Sequence, residues 1–492
     1  MRRRCLELAA SLASSIVLVS VATAAGPLSL LGAEVRPFFS DRVRGEFVDW
    51  FGPAPASAPR GAERYDFFAN RLRAGFRVSA GKAEWTLTLQ DTRLENLPSD
   101  ASPPESAVGN LGPGALYFSH TRATSQGETF LKEAFLRWRD PLGVGGLELL
   151  GGRFEYADGL EVRPRNPTLA WLKSARISQR LVGPFGFTHV TRSFDGLRID
   201  YDLRSVRWTV LGVRPTRGGF EVSANRELDV WLAGASATYS GPESLDARLF
   251  YFYYRDERDR AVKVDNRSVS ERREDSGSVD IHTVGGHVLG VRPLGPGRVD
   301  GLFWVAGQAG SWGRLDHVAW AYGLEGGYRW PSWPFGPWVR AGLFRSSGDD
   351  DAGDGTHETF FQMLPTARIY AQFPFFNLMN NQDFFAQLLL RPSPVLSLRL
   401  DYHWLRLTEA RDLWYAGGGA TSDTVFGFAG LPSGGGRDLG HLVDLAVTWS
   451  PLDWLEVYAY YGHAFGEDVV GENFADSDAD YGYVEVTVSY GR

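Results

Sequence analysis

The 492-residue sequence predicts an all-β fold, a transmembrane antiparallel β-barrel of about 18 strands. Three observations predict it. Apolar and polar residues alternate with period two in segment after segment. Tight and long connections take turns along the chain, short turns on one rim and long loops on the other. After the N-terminal leader, no apolar stretch is long enough to cross a bilayer as a helix.

The leader is MRRRCLELAASLASSIVLVSVATAAG. Arg2 to Arg4 precede an apolar run from Leu8 to Val21, and Ala22-Thr23-Ala24 supplies small residues for cleavage before Ala25. Residues 1–24 therefore read as a signal peptide, 25–42 as an N-terminal periplasmic segment and 43–492 as the barrel. Cleavage removes Cys5, the single cysteine, so the mature chain has neither a disulfide nor a thiolate metal site. It also takes Arg2, Arg3, Arg4 and Glu7 from the 51 basic and 59 acidic side chains, leaving 48 against 58. That acidic balance argues against nucleic acid as a partner.

Strands are predicted near 43–51, 65–78, 83–93, 130–138, 147–155, 191–202, 206–214, 229–239 and 244–254. A second series follows near 281–291, 298–309, 317–330, 337–345, 383–391, 395–407, 441–450, 454–464 and 481–490. The clearest puts Val318, Trp320, Tyr322, Leu324, Tyr328 and Trp330 on one face against His317, Ala319, Ala321, Glu325 and Arg329 on the other. LSLRLDYHW repeats the pattern from Leu396 to Trp404, and VEVTVSY from Val484 to Tyr490. Such strands exceed the usual five or six residues of a soluble sheet. Tight turns such as SAGK (79–82), RPLGPG (292–297) and PSP (392–394) alternate with long loops at 94–129, 156–190, 255–280, 346–382, 408–440 and 465–480. The charged loop at 255–277 reads as solvated extracellular surface.

In such a wall the apolar parity faces lipid and the polar parity lines the lumen. Lumen cations are then Arg71, Arg73, Arg77, Arg198, Arg329, Arg340 and Arg399. Lumen acids are Glu84, Glu325, Asp200, Asp202, Asp401, Asp444, Glu456 and Glu485. If the SAGK hairpin closes without a bulge, Arg77 faces Glu84, Arg73 faces Thr88 and Arg71 faces Gln90. Arg77 is then neutralised, while Arg71 and Arg73 keep guanidinium groups suited to bidentate contact with carboxylates of an anionic solute. Structural ladders of arginine with aspartate and glutamate are the competing reading.

Several stretches resemble the bacterial alginate-export outer-membrane proteins: EAFLRW (133–138), LELLGGRFEYADG (147–159), TRSFDGLRIDY (191–201), SGDDDAGDGTHETFFQMLPT (347–366), LRLDYHWLRL (398–407) and DLGHLVDLAVTWSPLDWLEVYAYYGHAF (438–465). The resemblance implies an eighteen-stranded barrel whose arginine-lined pore passes an anionic uronic-acid polymer outward. It carries the glycine-arginine motif to Arg153 and the RSFDGLR motif to Arg192, Asp195 and Arg198. By strict parity Asp195 faces lipid, unless a bulge precedes Gly196 or the residue lies beyond the membrane. Expected solute contacts are thus Arg71, Arg73, Arg153, Arg192, Asp195, Arg198, Arg340 and Arg399.

The acidic loop 349–358 has calcium-like composition but departs from the EF-hand template, with Ala352 at position 3 and Phe361 at position 12. His403 beside Asp401 is what alternation alone produces, so an acid-base role is not assigned. The expectation is a passive channel in the outer membrane of a Gram-negative bacterium, with no enzymatic activity, cofactor or metal. Its partners are outer-membrane lipid, an anionic saccharide and periplasmic export proteins. A general or nutrient-uptake porin is the alternative. A lipid-hydrolysing barrel would need serine, histidine and a carboxylate together at the lipid-facing rim, and the strands hold no such set. A plugged adhesin would be told apart by its conductance.

Overall fold

The computed structural model of the chain describes residues 28–30, 32–53, 58–102, 109–365, 372–419 and 421–491. The proposed signal peptide and Cys5 lie outside the described residues. Eighteen strands form the wall. The first nine are β1 Ala33–Asp49, β2 Arg64–Ala80, β3 Ala83–Glu95, β4 Ser125–Arg139, β5 Leu147–Phe154, β6 Phe194–Leu203, β7 Val206–Pro215, β8 Val230–Tyr239 and β9 Leu245–Asp256. The others are β10 Val279–Leu294, β11 Gly297–Trp312, β12 Leu315–Arg329, β13 Trp338–Ser346, β14 Asn381–Ser393, β15 Leu396–Leu407, β16 Asp438–Leu452, β17 Leu455–Gly466 and β18 Asp478–Tyr490. Each pairs antiparallel with its chain neighbours, and β1 closes the ring on β18, from Phe39 opposite Tyr490 to Asp49 opposite Asp480. Closure leaves no open edge, the condition for a sheet to survive in lipid. Among the described residues no helix is long and apolar enough to span a membrane.

Alternation sets the two faces as the sequence predicts. Val318, Trp320 and Leu324 point outward, Leu324 with 54% of its surface exposed, whereas Ala319, Ala321 and Glu325 are buried inside. On β2, Phe76 faces outward while Arg71 and Arg73 are buried in the lumen.

Three details differ from the sequence reading. Residues 33–42, expected in a periplasmic segment, belong to β1. Pro37, the Phe38-Phe39 pair and inward Arg42 disguise its alternation. The first tight hairpin turns on Gly81 and Lys82 alone, with Ala80 opposite Ala83. Gly81 has φ +58°, which a two-residue turn asks of its first position. Register therefore moves: Arg77 faces Thr86, Arg73 faces Gln90 and Arg71 faces Thr92. Glu84 pairs with Arg137 at 3.2 Å, and Arg77 instead stacks on Phe38. Finally, the long-loop rim has one tight connection, Gly313 and Arg314 between β11 and β12.

The lumen is also less polar than parity suggested. Trp304 and Trp312 of β11 and Phe250 and Phe252 of β9 point inward and are buried. Phe360, Phe361, Met363 and Leu364 from the loop after β13 cover them, as does Phe426 from the loop after β15. Burial of this apolar surface holds the loops inside the barrel, at roughly 25 cal/mol per Å² removed from water.

Val305, 40% exposed near the middle of β11, marks the lipid face. Val305→Arg should destabilise the barrel by about 2–4 kcal/mol in denaturant titrations in phospholipid vesicles, whereas Val305→Leu should stay within about 1 kcal/mol. Equal midpoints for the two variants would contradict the assignment of faces.

Candidate functional site: lumen plug and short-turn mouth

The segment 155–193, between β5 and β6, does not stay outside the barrel. Asn166 accepts from the Thr168 and Leu169 amides and Pro167 opens a short helix, Pro167–Leu172, that continues into a single wider turn, Lys173–Ile177. This places Lys173, Arg176 and Arg180 against the wall from within. Arg176 Nε lies 2.9 Å from Glu325 Oε2 and Arg180 Nη2 lies 3.4 Å from Oε1. Arg340 of β13 reaches the same carboxylate at 3.0 Å and Asp300 of β11 at 3.1 Å. Lys173 Nζ meets Asp246 of β9 at 2.9 Å, and His287 of β10 meets the other oxygen at 2.9 Å. Arg248 holds Asp158 and Glu161, both at 2.7 Å.

The far end of the segment is held by the opposite wall. His189 Nε2 lies 2.8 Å from Glu46 of β1. Burial pushes the imidazole down to about 3, so it is neutral. Its Nε2–H donates to Glu46, and Nδ1 accepts from Arg42 Nη2 at 3.3 Å. Arg42 also donates to the Thr188 carbonyl at 2.8 Å, and Gln90 donates to the Val190 carbonyl at 2.7 Å. The segment thus spans the lumen from β9–β13 to β1–β3. A parallel bridge between Val182 and Leu364 joins it to the loop after β13.

This plug engages Arg71, Arg73 and Arg340 among the arginines singled out in the sequence, and Arg198 and Arg399 pair elsewhere. Arg71 donates to the Gly186 and Thr188 carbonyls, both at 3.4 Å. Arg73 bonds to Gln90 at 2.7 Å and Thr191 at 3.0 Å, and pairs with Glu155 at 3.0 Å. Arg340 supports Glu325, as above. Arg198 pairs with Asp200 at 2.9 Å, and Arg399 with Asp401 at 2.7 Å.

Arg192 belongs to the plug itself, 2% exposed, donating to the Gly419 carbonyl and lying over the Phe185 ring at 5.4 Å. Among the described residues it has no carboxylate partner. Burial lowers it to about 10, so it stays a cation at neutral pH.

Arg153 and Asp195 depart from the pore-lining expectation. They form a two-pronged pair at 2.7 and 2.6 Å. Pairing of β6 with β7 runs unbroken from Phe194 to Leu203, so no bulge turns Asp195 inward. It keeps the parity of exposed Leu197 and Ile199, next to the long-loop rim.

The short-turn mouth has a different character. One cavity of about 410 Å³ is lined by Arg163 and Arg165 of the plug and Arg204 of a tight turn, with Glu243 as its acid. A second, of about 470 Å³, is lined by Trp171 and Ala175 of the plug and by Arg329, Arg391 and Arg399 of the wall. Arg298 sits directly opposite Arg329 on β11. Among the described residues, Arg163, Arg165, Arg204, Arg298, Arg329 and Arg391 have no carboxylate within 4 Å. Like charges placed cross-strand destabilise each other, so this grouping is a source of uncompensated positive potential.

Sequence reasoning missed Arg163, Arg165, Lys173, Arg176, Arg180 and His189 by assigning the long loops to extracellular surface, and Arg204 by reading its short turn as a connection only. A signal was present. NPTLAWLKSARISQRLVGPFGF (166–187) interleaves cations with Leu, Ile, Val and Phe and contains no acid, unlike the mixed charges of 255–277.

Comparisons with known proteins agree with this architecture. The alginate-export family profile matches residues 83–481. No curated protein matches the sequence. Solved structures of Pseudomonas aeruginosa outer-membrane channels share the fold at low identity. OccK9 (OpdG) is 10% identical with a TM-score of 0.56, covering 92% of this chain and 98% of its own. OccK2 (OpdF), solved in complex with glucuronate, is 10% identical with a TM-score of 0.54, covering 92% and 97%. OpdK, solved with vanillate, is 11% identical with a TM-score of 0.54, covering 92% and 98%. Closed eighteen-stranded wall, inward plug and profile match together place this chain in the alginate-export family, as an outer-membrane β-barrel channel of a Gram-negative bacterium.

Proposed function

We propose that this channel passes an anionic uronic-acid polymer outward and receives it at the short-turn, periplasmic mouth. The observation that carries the reading is the division of the arginines. Those deep in the lumen are bonded to the plug or to neighbouring acids, while Arg163, Arg165, Arg204, Arg298, Arg329 and Arg391 collect at the mouth without carboxylate partners. Guanidinium groups facing water present a fork that matches a sugar carboxylate, and clefts of one sign concentrate oppositely charged solutes. A polymer threading past the plug would exchange its carboxylates with Glu155 and Glu325 for Arg73, Arg176 and Arg180. Deep in the plug, Arg192 has, among the described residues, no carboxylate to give up in such an exchange. No covalent step is involved, and the reading needs no cofactor.

Planar-bilayer recordings test the charge assignment. Wild type should show a reversal potential of anion preference, and Arg298→Ala/Arg329→Ala/Arg391→Ala should move it toward zero with a steeper effect at low salt. Cation preference in wild type, or no movement in the triple variant, would favour a general porin for small solutes.

The plug gives a second expectation. Glu325→Gln leaves Arg176, Arg180 and Arg340 facing one another in a buried site, and losing the partner of such a network costs roughly 3–5 kcal/mol. Single-channel conductance should rise and become noisier as segment 155–193 loosens, while Glu34→Gln, on the exposed end of β1, should leave it unchanged. Identical traces for Glu325→Gln and wild type would mean that the plug is held by something else.

A further inference from the structure

We propose that β14, β15 and β16 carry a binding site for one divalent transition-metal cation, with Asp401, His403 and Asp444 as its protein ligands. One ligand atom from each lies within 4.8 Å of the others, and all three side chains are buried on the lumen face. Ligand atoms sharing an ion stand roughly 3–4 Å apart when bonds are about 2.0–2.2 Å, so little adjustment is needed.

The side chains of this cluster are also short of hydrogen-bond donors. Asp401 and Asp444 face each other directly across β15 and β16. Asp401 Oδ1, Asp444 Oδ1, His403 Nε2 and the Gln387 Oε1 opposite Asp401 are all buried without a hydrogen-bond donor, while Asp401 Oδ2 is paired with Arg399. Such a row of acceptors is costly in a wall of low dielectric unless a cation or added protons satisfy it.

His403 is already oriented for a metal. Its Nδ1 stands 2.9 and 3.0 Å from the two oxygens of Asp383. Nδ1–H donating there leaves the Nε2 lone pair for the ion, the arrangement that fixes metal-bound histidines elsewhere. Asp383 is therefore a positioning residue.

Charge points the same way. Asp383, Asp401 and Asp444 are three carboxylates against one guanidinium, Arg399, at 2.7 Å from Asp401 and 3.9 Å from Asp444. A divalent ion that takes the imidazole as its neutral ligand balances the remaining two negative charges of the cluster. A mixed imidazole and carboxylate set suits zinc or manganese over magnesium or calcium. Arg399 and Ala446, one step nearer the mouth on the same face, line the 470 Å³ cavity, which supplies a route from the periplasmic side. Bound there, the ion would join β15 to β16 directly, and β14 through Asp383 and His403.

The test uses the full-length barrel in detergent, stripped with EDTA and titrated calorimetrically with zinc sulfate. One equivalent should bind and raise the unfolding temperature, and magnesium chloride should do neither. His403→Ala and Asp444→Asn should each weaken binding at least tenfold, and Asp383→Asn should weaken it about 10–100-fold. Absence of saturable binding to wild type would overturn the proposal, leaving protons or water as the occupants, and so would unchanged affinity in His403→Ala. Should the variants fail to fold, zinc X-ray absorption on wild type still decides. One imidazole nitrogen with carboxylate oxygens supports the site, and a shell of several imidazoles rejects it.

Discussion

The carboxylate of Glu325 is the interaction on which the interior depends. Arg176 and Arg180 approach it from the plug and Arg340 from the neighbouring strand, all with almost no exposure to water. An isolated charge at this depth would be prohibitive, so the acid and its cations require one another. Because one anion serves both wall and plug, segment 155–193 cannot leave the lumen without stranding charges on both sides. Polar pairing fixes where the plug sits, and the aromatic cluster of Trp304, Phe360 and Phe361 contributes the bulk of the burial.

That constraint divides the basic residues by role. Arg71 and Arg73 began as candidates for solute contact, and the plug turns them into donors for its own carbonyls and for Glu155. Arg153 and Asp195 secure the outside of the wall near the long-loop rim. A group of arginines without acids lies at the short turns, where the plug helix and the strand ends meet around two cavities. A polyanion arriving there would meet free guanidinium groups before it met paired ones, a gradient that leads inward.

Much of this was legible in the sequence, because period-two alternation and loop sorting are direct consequences of a closed wall in lipid. Strands such as Leu315–Arg329 and Leu396–Leu407 could be placed within a residue or two from Val318, Trp320 and Leu324, or from Leu400, Tyr402 and Trp404. Register was less legible. Whether SAGK turns over two residues or four depends on φ at Gly81, and that choice moved Arg77 away from Glu84. The interior was least legible, since alternation states which side chains point inward and nothing of what meets them there. Asp401 and His403 were visible as neighbours on one face, but Asp383 and Asp444 come from other strands, and only strand pairing brings the four together. Likewise, no local pattern connects Arg176 to Glu325 across 149 positions.

Sidedness follows from the same geometry, since Arg163, Arg165, Arg204, Arg298, Arg329 and Arg391 gather around the cavities of the short-turn mouth in a channel whose centre is occupied by paired charges. The most direct measurement is current blockade by an oligouronate of defined length, added in turn to each side of a bilayer holding oriented channels. Blockade from the short-turn side at a concentration at least tenfold lower than from the long-loop side is the result this account predicts. Equal blockade from both sides, or blockade by a neutral oligosaccharide of the same length as strong as by the uronate, would contradict it.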